Sequence, residues 1–319
     1  EGHTAHSSEE EAKKETLQIL NIYKKTVENI LAIPVISGLK TESEKFAGAV
    51  ETYCIETMMG DKKALQAGTS HYLGQNFAKA FNVKFQDLDN KEKFVFATSW
   101  GVSTRLIGAL IMVHGDDKGL RLPPNIAPIQ VVIVPIYKSD QELDDINNFL
   151  NSIYINLEDA NISYYLDDRD KLSPGYKFNE WEMKGVPIRI EIGMRDLNEN
   201  KLTIVRRDNL EKYAINFSQG IIEIKNLLAD IQKNLFNEAL KFQNSNTHTV
   251  TNYEEFKELI QKGAFILCGW DGTSETEFAI KKDTNATIRC IPLNQTNTNI
   301  TCIYSNKPAK HSVIFAKAY

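Results

Sequence analysis

Polar and apolar positions recur along this chain with two different periods, and the changes of period divide it into three blocks. Leu17, Leu20, Val27 and Leu31 repeat at helical spacing as far as Ala32-Ile33-Pro34, where proline cannot continue the pattern. Ser8 stands three residues before Glu11, a capping-box arrangement that predicts the start of this helix. Thr52 to Glu56 and Phe94 to Thr98 are short β-rich runs that read as strands of an antiparallel sheet. Thr104 to His114 reads as a helix, and Pro123-Pro124 closes the first block.

From Ile129 the pattern becomes the continuous apolar run Gln130-Val131-Val132-Ile133-Val134-Pro135-Ile136, as expected of a strand buried on both faces of a parallel sheet. Ser139 and Glu142 form a second capping box ahead of Leu143, Ile146, Leu150 and Ile153 on one helical stripe. Strands are expected at 163–166, 188–192 and 202–205, which makes residues 126–228 a small α/β domain. An amphipathic stretch from Ile221 to Phe242 leads into the third block. There Thr251 and Glu254 form a capping box whose helix stops at Gly263. Short strands at 264–268, 287–291, 300–303 and 312–315 then suggest an α+β domain.

Composition narrows this picture. At 319 residues, with 42% apolar and 25% charged positions, the chain has material for more than one core. A net charge of −5 and a pI near 5.8 argue against a wholly basic nucleic-acid surface, though not against a local patch. No run of eighteen apolar residues is present, and Glu1 to Lys14 is acidic rather than leader-like, so no membrane association and a cytoplasmic location are expected. Cys54, Cys268, Cys290 and Cys302 include no Cys-x-x-Cys pair and read as free thiols. Asn-x-Ser/Thr matches at Asn161, Asn216, Asn285, Asn294 and Asn299 read as coincidence in an Asn-rich cytosolic chain, and 294–301 as a polar loop.

Particular segments go further. Leu65-Gln66-Ala67-Gly68-Thr69-Ser70-His71-Tyr72 and Thr98-Ser99-Trp100-Gly101-Val102-Ser103-Thr104-Arg105 resemble the second half of the active site of prolyl-tRNA synthetases of the eukaryotic and archaeal type. Glu1-Gly2-His3-Thr4-Ala5-His6 resembles the exit of that family's motif 2. The resemblance runs on through Gly119 to Pro124, Lys177 to Arg189 and Val205 to Asp208 to the end of the chain. It implies an α/β and α+β multidomain architecture. Residues 1–125 would be part of a class II catalytic domain with an antiparallel sheet, 126–228 an α/β anticodon-binding domain, and 229–319 a small α+β C-terminal domain. It also implies ligation of proline to tRNA(Pro) with ATP and Mg²⁺, a homodimer in the complete protein, and binding of adenylate mimics or halofuginone-class inhibitors. Motif 1 and the motif 2 arginine do not occur in these residues, so the chain alone is expected to be an incomplete enzyme.

Activation of proline is a displacement at the α-phosphate by a carboxylate that is already charged, so the site has to position the reactants and neutralise charge. Arg105 matches the family's phosphate-binding arginine, and its planar fork suits that task. Gln66, Thr69 and Ser103 match ATP-binding positions, with Mg²⁺ carried near Gln66, and Ser103 keeps the hydroxyl of the usual threonine. Glu1, His3, Phe46, His71, Trp100 and Gly101 match the proline pocket. Two departures stand nearby: Ala49 for a usual glycine, and lysines in the shortened loop 59–63 for a usual arginine. Glu180, Glu182, Lys184 and Arg195 are candidates for reading anticodon base edges, and Tyr176 and Trp181 for stacking. Many relatives hold zinc with four cysteines in the C-terminal domain, but here only Cys268 and Cys302 match, and Tyr304 stands at the fourth position. No zinc is expected, nor cis editing, since the segment before motif 3 is too short for an editing insertion. The alternative to an enzyme is a non-catalytic tRNA- or protein-binding module derived from a synthetase.

Overall fold

The computed structural model describes residues 1–294 and 300–319, and within them the strands of the first block form a sheet that the last block extends. The Asn299 match and most of the polar loop 294–301 lie outside the described residues. Two compact units result, one of residues 1–28, 33–113 and 240–319, the other of 29–32 and 114–239.

In the first unit nine strands run in the order Gly2–His6, Phe96–Gly101, Ala64–Gly74, Glu51–Met58, Ile36–Leu39, Thr287–Pro292, His311–Ala316, Phe265–Trp270 and Thr247–Thr249. Every neighbouring pair is antiparallel except the last, which is parallel. The first-block and last-block strands meet at a short register, Leu39 with Ile291 and Gly38 with Pro292. A side chain at Gly38 would strike Cys290 Cβ at 2.5 Å, so only glycine allows this approach. Beside it the fully buried Glu56 carboxylate accepts from Lys40 Nζ at 2.8 Å and from Arg289 Nε at 3.1 Å. Lys40 Nζ also donates to the Arg289 carbonyl at 2.7 Å.

The period of two in the last block sends alternate residues to different cores. Ile266 and Cys268 pack with Phe256, Ile280, Val313 and Phe315, whereas Phe265 packs with Cys54, Met58 and Ala64 of the first block. Asn252, rather than Thr251, caps helix Tyr253–Lys262, accepting from the amides of Glu254 and Glu255. The short Asn side chain reaches both free amides from one residue further along. No strand forms at 300–303; Thr301 and Cys302 make isolated bridges to Pro308 and Gly269. The helix Ser274–Thr284, capped by Thr273, was not predicted because its apolar positions are sparse.

Helix Glu9–Asn29 begins where the pattern placed it. Ser8 Oγ accepts from the Glu11 amide at 3.2 Å, while the Glu11 carboxylate accepts from Ser7 Oγ and leaves the capping box half closed. Its buried stripe is Ala12, Thr16, Leu20 and Val27; Leu17 lies one position off that stripe and is exposed.

The second unit holds a five-stranded sheet in the order Lys212–Asn216, Lys201–Arg206, Ile188–Gly193, Val131–Ile136, Tyr164–Leu166. The last three are mutually parallel, and Val131 to Val134 are fully buried, as the continuous apolar run requires. Ile146, Leu150, Ile153 and Leu157 of helix Asp140–Asp159 join Ile188, Ile190, Ile192 and Ile224 in one core. Ser173, Pro174 and the left-handed Gly185 bound helix Pro174–Lys184 by ordinary capping rules. Among the described residues no helix is long and apolar enough to cross a membrane.

His114 is buried in this unit with Nε2 2.8 Å from the Leu31 carbonyl, and burial lowers its pKa from 6.5 to about 4. The folded state therefore binds fewer protons than the unfolded state between those values, and stability falls as pH drops through that window. Chemical unfolding of the second unit is expected to lose about 2 kcal/mol between pH 7 and pH 5 from this residue. A His114→Asn chain should lack that share when urea unfolding is followed at both pH values.

Candidate active site and anticodon face

Strand Ala64–Gly74 is the floor of the candidate site, and its phase is set by a bulge. Glu51 to Ile55 pair with Tyr72 down to Gly68, but Glu56 pairs with Gln66, which leaves Ala67 as an extra residue. Without it Gln66 and Thr69, three apart, would face opposite sides of the sheet; the extra residue brings Gln66 into phase with Thr69 and His71. On the other side the strand pairs with Phe96–Gly101, setting Thr69 opposite Gly101 and Ser70 opposite Trp100. Trp100 in turn faces Gly2 of the edge strand. A Cβ on Gly2 would meet the Trp100 ring at 2.1 Å, so the glycine is what lets the indole lie against that strand.

A cavity of about 410 Å³ lies elsewhere, beside helix Glu9–Asn29, but the one of about 300 Å³ over this floor collects the chemistry. Its walls include Glu1, Phe46, Gln66, Thr69, His71, Trp100, Gly101, Ser103 and Arg105, nine of the ten catalytic-domain residues singled out from the sequence. His3 is the exception: it faces Ser99 in register and its Nε2 lies 3.5 Å from the Glu1 carboxylate, outside the wall. Ala67, Gly68, Ser99 and Val102 line the cavity too and were not singled out, since their only signal is position between residues that were.

The side chains are held in distinct ways. Arg105 begins helix Arg105–His114 and donates through Nη1 to the Gln66 carbonyl at 3.3 Å, while its amide donates to Ser103 Oγ at 3.3 Å. The guanidinium and the helix start thus both bring positive potential to this end of the cavity. Phe46 stands on the loop after Lys40, its ring centroid 4.8 Å from that of His71. Thr52 Oγ1 accepts from the Phe46 amide at 3.0 Å and lies 3.0 Å from His71 Nδ1. Thr52 carried no sequence signal, because its role depends on facing His71 across the strand pair. Burial lowers the His71 pKa, which keeps the ring neutral in spite of the nearby Glu1 carboxylate. Trp100 Nε1 is buried with no hydrogen-bond partner among the described residues.

In the second unit the four anticodon candidates are engaged to different degrees. Glu180 accepts from Arg169 Nη2 and from Lys184 Nζ, each at 2.7 Å. Glu182 accepts from Arg189 Nη1 at 2.9 Å. Arg195 is exposed, 3.9 Å from Glu199. Tyr176 is exposed and able to stack. Trp181 is not: it is 5% exposed, packs with Val132, Val134 and Val186, and donates Nε1 to the buried Asp167 carboxylate at 2.8 Å. The sequence could not separate these two aromatics, which stand on one helix but on different faces.

A family model described as the C-terminal domain of prolyl-tRNA synthetase matches residues 253–319, and one described as an anticodon-binding domain matches residues 130–227. The whole chain is 53% identical over 320 residues to the proline–tRNA ligase of Flavobacterium johnsoniae, of which it covers 65%. It is 54% identical over 320 residues to those of Porphyromonas gingivalis and Parabacteroides distasonis, again covering 65% of each. The chain belongs with the prolyl-tRNA synthetases, as their C-terminal part. It spans about 65% of the length of the curated relatives it matches. The residues matched by the anticodon-binding model lie in the five-stranded second unit.

Of the four positions that the sequence resemblance gives to zinc ligands, this chain has cysteine at Cys268 and Cys302, both buried, with Gly269 bridged to Cys302. The neighbouring Asp271 carboxylate accepts instead from the hydroxyls of Thr273, Thr276 and Ser305. These bonds hold its pKa near 2 against the upward push of burial. Two thiols and a carboxylate already saturated by hydroxyls do not make a closed tetrahedral donor set.

Proposed function

We propose that this chain supplies the amino-acid- and phosphate-facing walls of a cytoplasmic, homodimeric proline–tRNA ligase, together with the domain that recognises the anticodon of tRNA(Pro). The supporting observation is the convergence of nine candidate residues on one cavity. A non-catalytic module derived from a synthetase has no need to keep such a set together.

In this reading Arg105, with Gln66, Thr69 and Ser103, grips the ATP phosphates, and the proline ring lies between Phe46, His71 and Trp100. A neutral His71 does not repel the ammonium, and the Glu1 carboxylate attracts it. Mg²⁺ bound with ATP near Gln66 supplies further charge neutralisation at the phosphates, and the sparse acidic groups here suit a metal held largely by those phosphates. The proline carboxylate oxygen then bonds to the α-phosphorus as the α–β phosphoanhydride bond breaks and pyrophosphate leaves, with no general base needed, so the contribution of these residues is alignment and electrostatic stabilisation. Adenylate mimics and halofuginone-class compounds with a saturated nitrogen ring fit the same pocket.

In a complete ligase, Arg105→Ala should lower proline-dependent ATP–pyrophosphate exchange by about a hundredfold in kcat with little change in KM for proline, since the lost group acts on developing phosphate charge. Equal losses in both would make Arg105 merely structural.

We assign residues 126–228 to anticodon recognition, with Glu180, Glu182, Lys184 and Arg195 facing the base edges. Either Glu180→Ala or Lys184→Ala should raise the KM for tRNA(Pro) roughly tenfold, the loss of a base contact worth about 1–3 kcal/mol, and leave pyrophosphate exchange unchanged. A parallel fall in exchange would count against the assignment.

For residues 229–319 we propose a zinc-free fold in which the Asp271 hydroxyl cluster ties the loop that a metal would otherwise organise. Metal analysis of purified protein should find far less than one zinc per chain, and a chelator should leave its Tm unchanged. Stoichiometric zinc would overturn this.

A further inference from the structure

The loop that carries Phe46 is fastened from a distant part of the sequence. Thr41 Oγ1 donates to Glu277 Oε1 at 2.9 Å, across 236 positions of chain, and the Ser43 hydroxyl also bonds to that carboxylate. Glu277 lies on helix Ser274–Thr284 and is 5% exposed. One turn further along the same helix, Lys281 Nζ lies 3.5 Å from the Glu44 carboxylate. Just before the loop, Lys40 Nζ is bonded to Glu56 and to the Arg289 carbonyl.

Within the loop, the amides of Glu44 and Lys45 donate to the Thr41 carbonyl, and that of Ala49 to the Phe46 carbonyl. Thr41 is thus the hinge of the turn that presents Phe46, and its hydroxyl is held by Glu277. The far side is tied to the floor by the Phe46 amide on Thr52 Oγ1, and Asn76 Nδ2 donates to the Gly48 carbonyl at 2.9 Å.

We infer that Glu277 is a positioning residue for the cavity, a latch through which the C-terminal helix fixes the Phe46 loop against His71. Among the described residues Glu277 is not one that lines the cavity, and it acts through Thr41 and Ser43. Hydrogen bonds to a charged acceptor contribute more than neutral ones, and a buried carboxylate whose donors sit on a loop orders that loop. The inference rests on the reading of Phe46 as a wall of the proline pocket, but the latch can be tested apart from that reading.

Hydrogen exchange on this chain, with residue resolution, is the test. Glu277→Ala should speed exchange at the Glu44, Lys45, Phe46 and Ala49 amides by roughly tenfold. Amides of strands Glu51–Met58 and Val131–Ile136 should be unaffected, and Glu277→Gln, which keeps an oxygen acceptor for the hydroxyls, should restore slow exchange. Unchanged loop amides in Glu277→Ala, or equal acceleration throughout the first unit, would overturn the latch. In a complete ligase Glu277→Ala should raise KM for proline with little effect on KM for ATP. A loosened loop with unaltered KM for proline would support the latch and count instead against Phe46 as a pocket wall.

Discussion

Glu56 is the residue on which the first unit turns. Its carboxylate has no solvent exposure, and an ionised group so placed costs roughly several kcal/mol unless its charge is matched. Lys40 and Arg289 match it, one from the strand-to-loop exit after Leu39 and one from the strand Thr287–Pro292, more than two hundred residues away in sequence. Among the described residues the seam's backbone ladder is short, two register pairs and the Leu293 amide donating to the Ser37 carbonyl, and the ion cluster reinforces it. The ion cluster, with glycine at position 38 to admit Cys290, makes one sheet of segments from the two ends of the chain.

The same residue governs the site. The bulge in strand Ala64–Gly74 occurs where that strand passes from pairing with Ile55 to pairing with Glu56, and it brings Gln66 onto the side of Thr69 and His71. Lys40, fixed by Glu56, begins the loop that carries Phe46. The geometry of the cavity is thus carried by packing and ion pairing several residues away from any group that would meet a ligand. Such support from behind is what keeps a binding constellation within the narrow tolerances that positioning chemistry needs.

The second unit uses its charges differently. Asp167, buried at the end of strand Tyr164–Leu166, takes bonds from Arg169 and Trp181, and Arg169 passes on to Glu180. Glu182 is oriented by Arg189 in the same fashion. A charged side chain with its rotamer already fixed loses less conformational freedom on meeting a base edge than a free one would. The candidate reading residues are in this sense preorganised, apart from the exposed Arg195.

The sequence by itself determined a good deal. The run from Val131 to Val134, the stripe Ile146, Leu150, Ile153 and the caps at Ser8 and Ser139 are local signals, and local hydrophobic period and capping chemistry decide such elements wherever the chain then goes. The residue types around Gln66, His71, Trp100 and Arg105 were legible because their spacing resembles a known active site. Tertiary structure decided what depends on cross-strand partners and register. Thr52 matters because it faces His71, Gly2 because it faces Trp100, and Trp181 is core because its face of the helix turns inward to Asp167. The joining of the last block to the first sheet, and Glu277 meeting Thr41, are likewise pairings over hundreds of residues. A one-dimensional pattern records which faces want burial and which groups carry charge, but not which distant partner satisfies them; that is fixed only when the whole chain closes on itself.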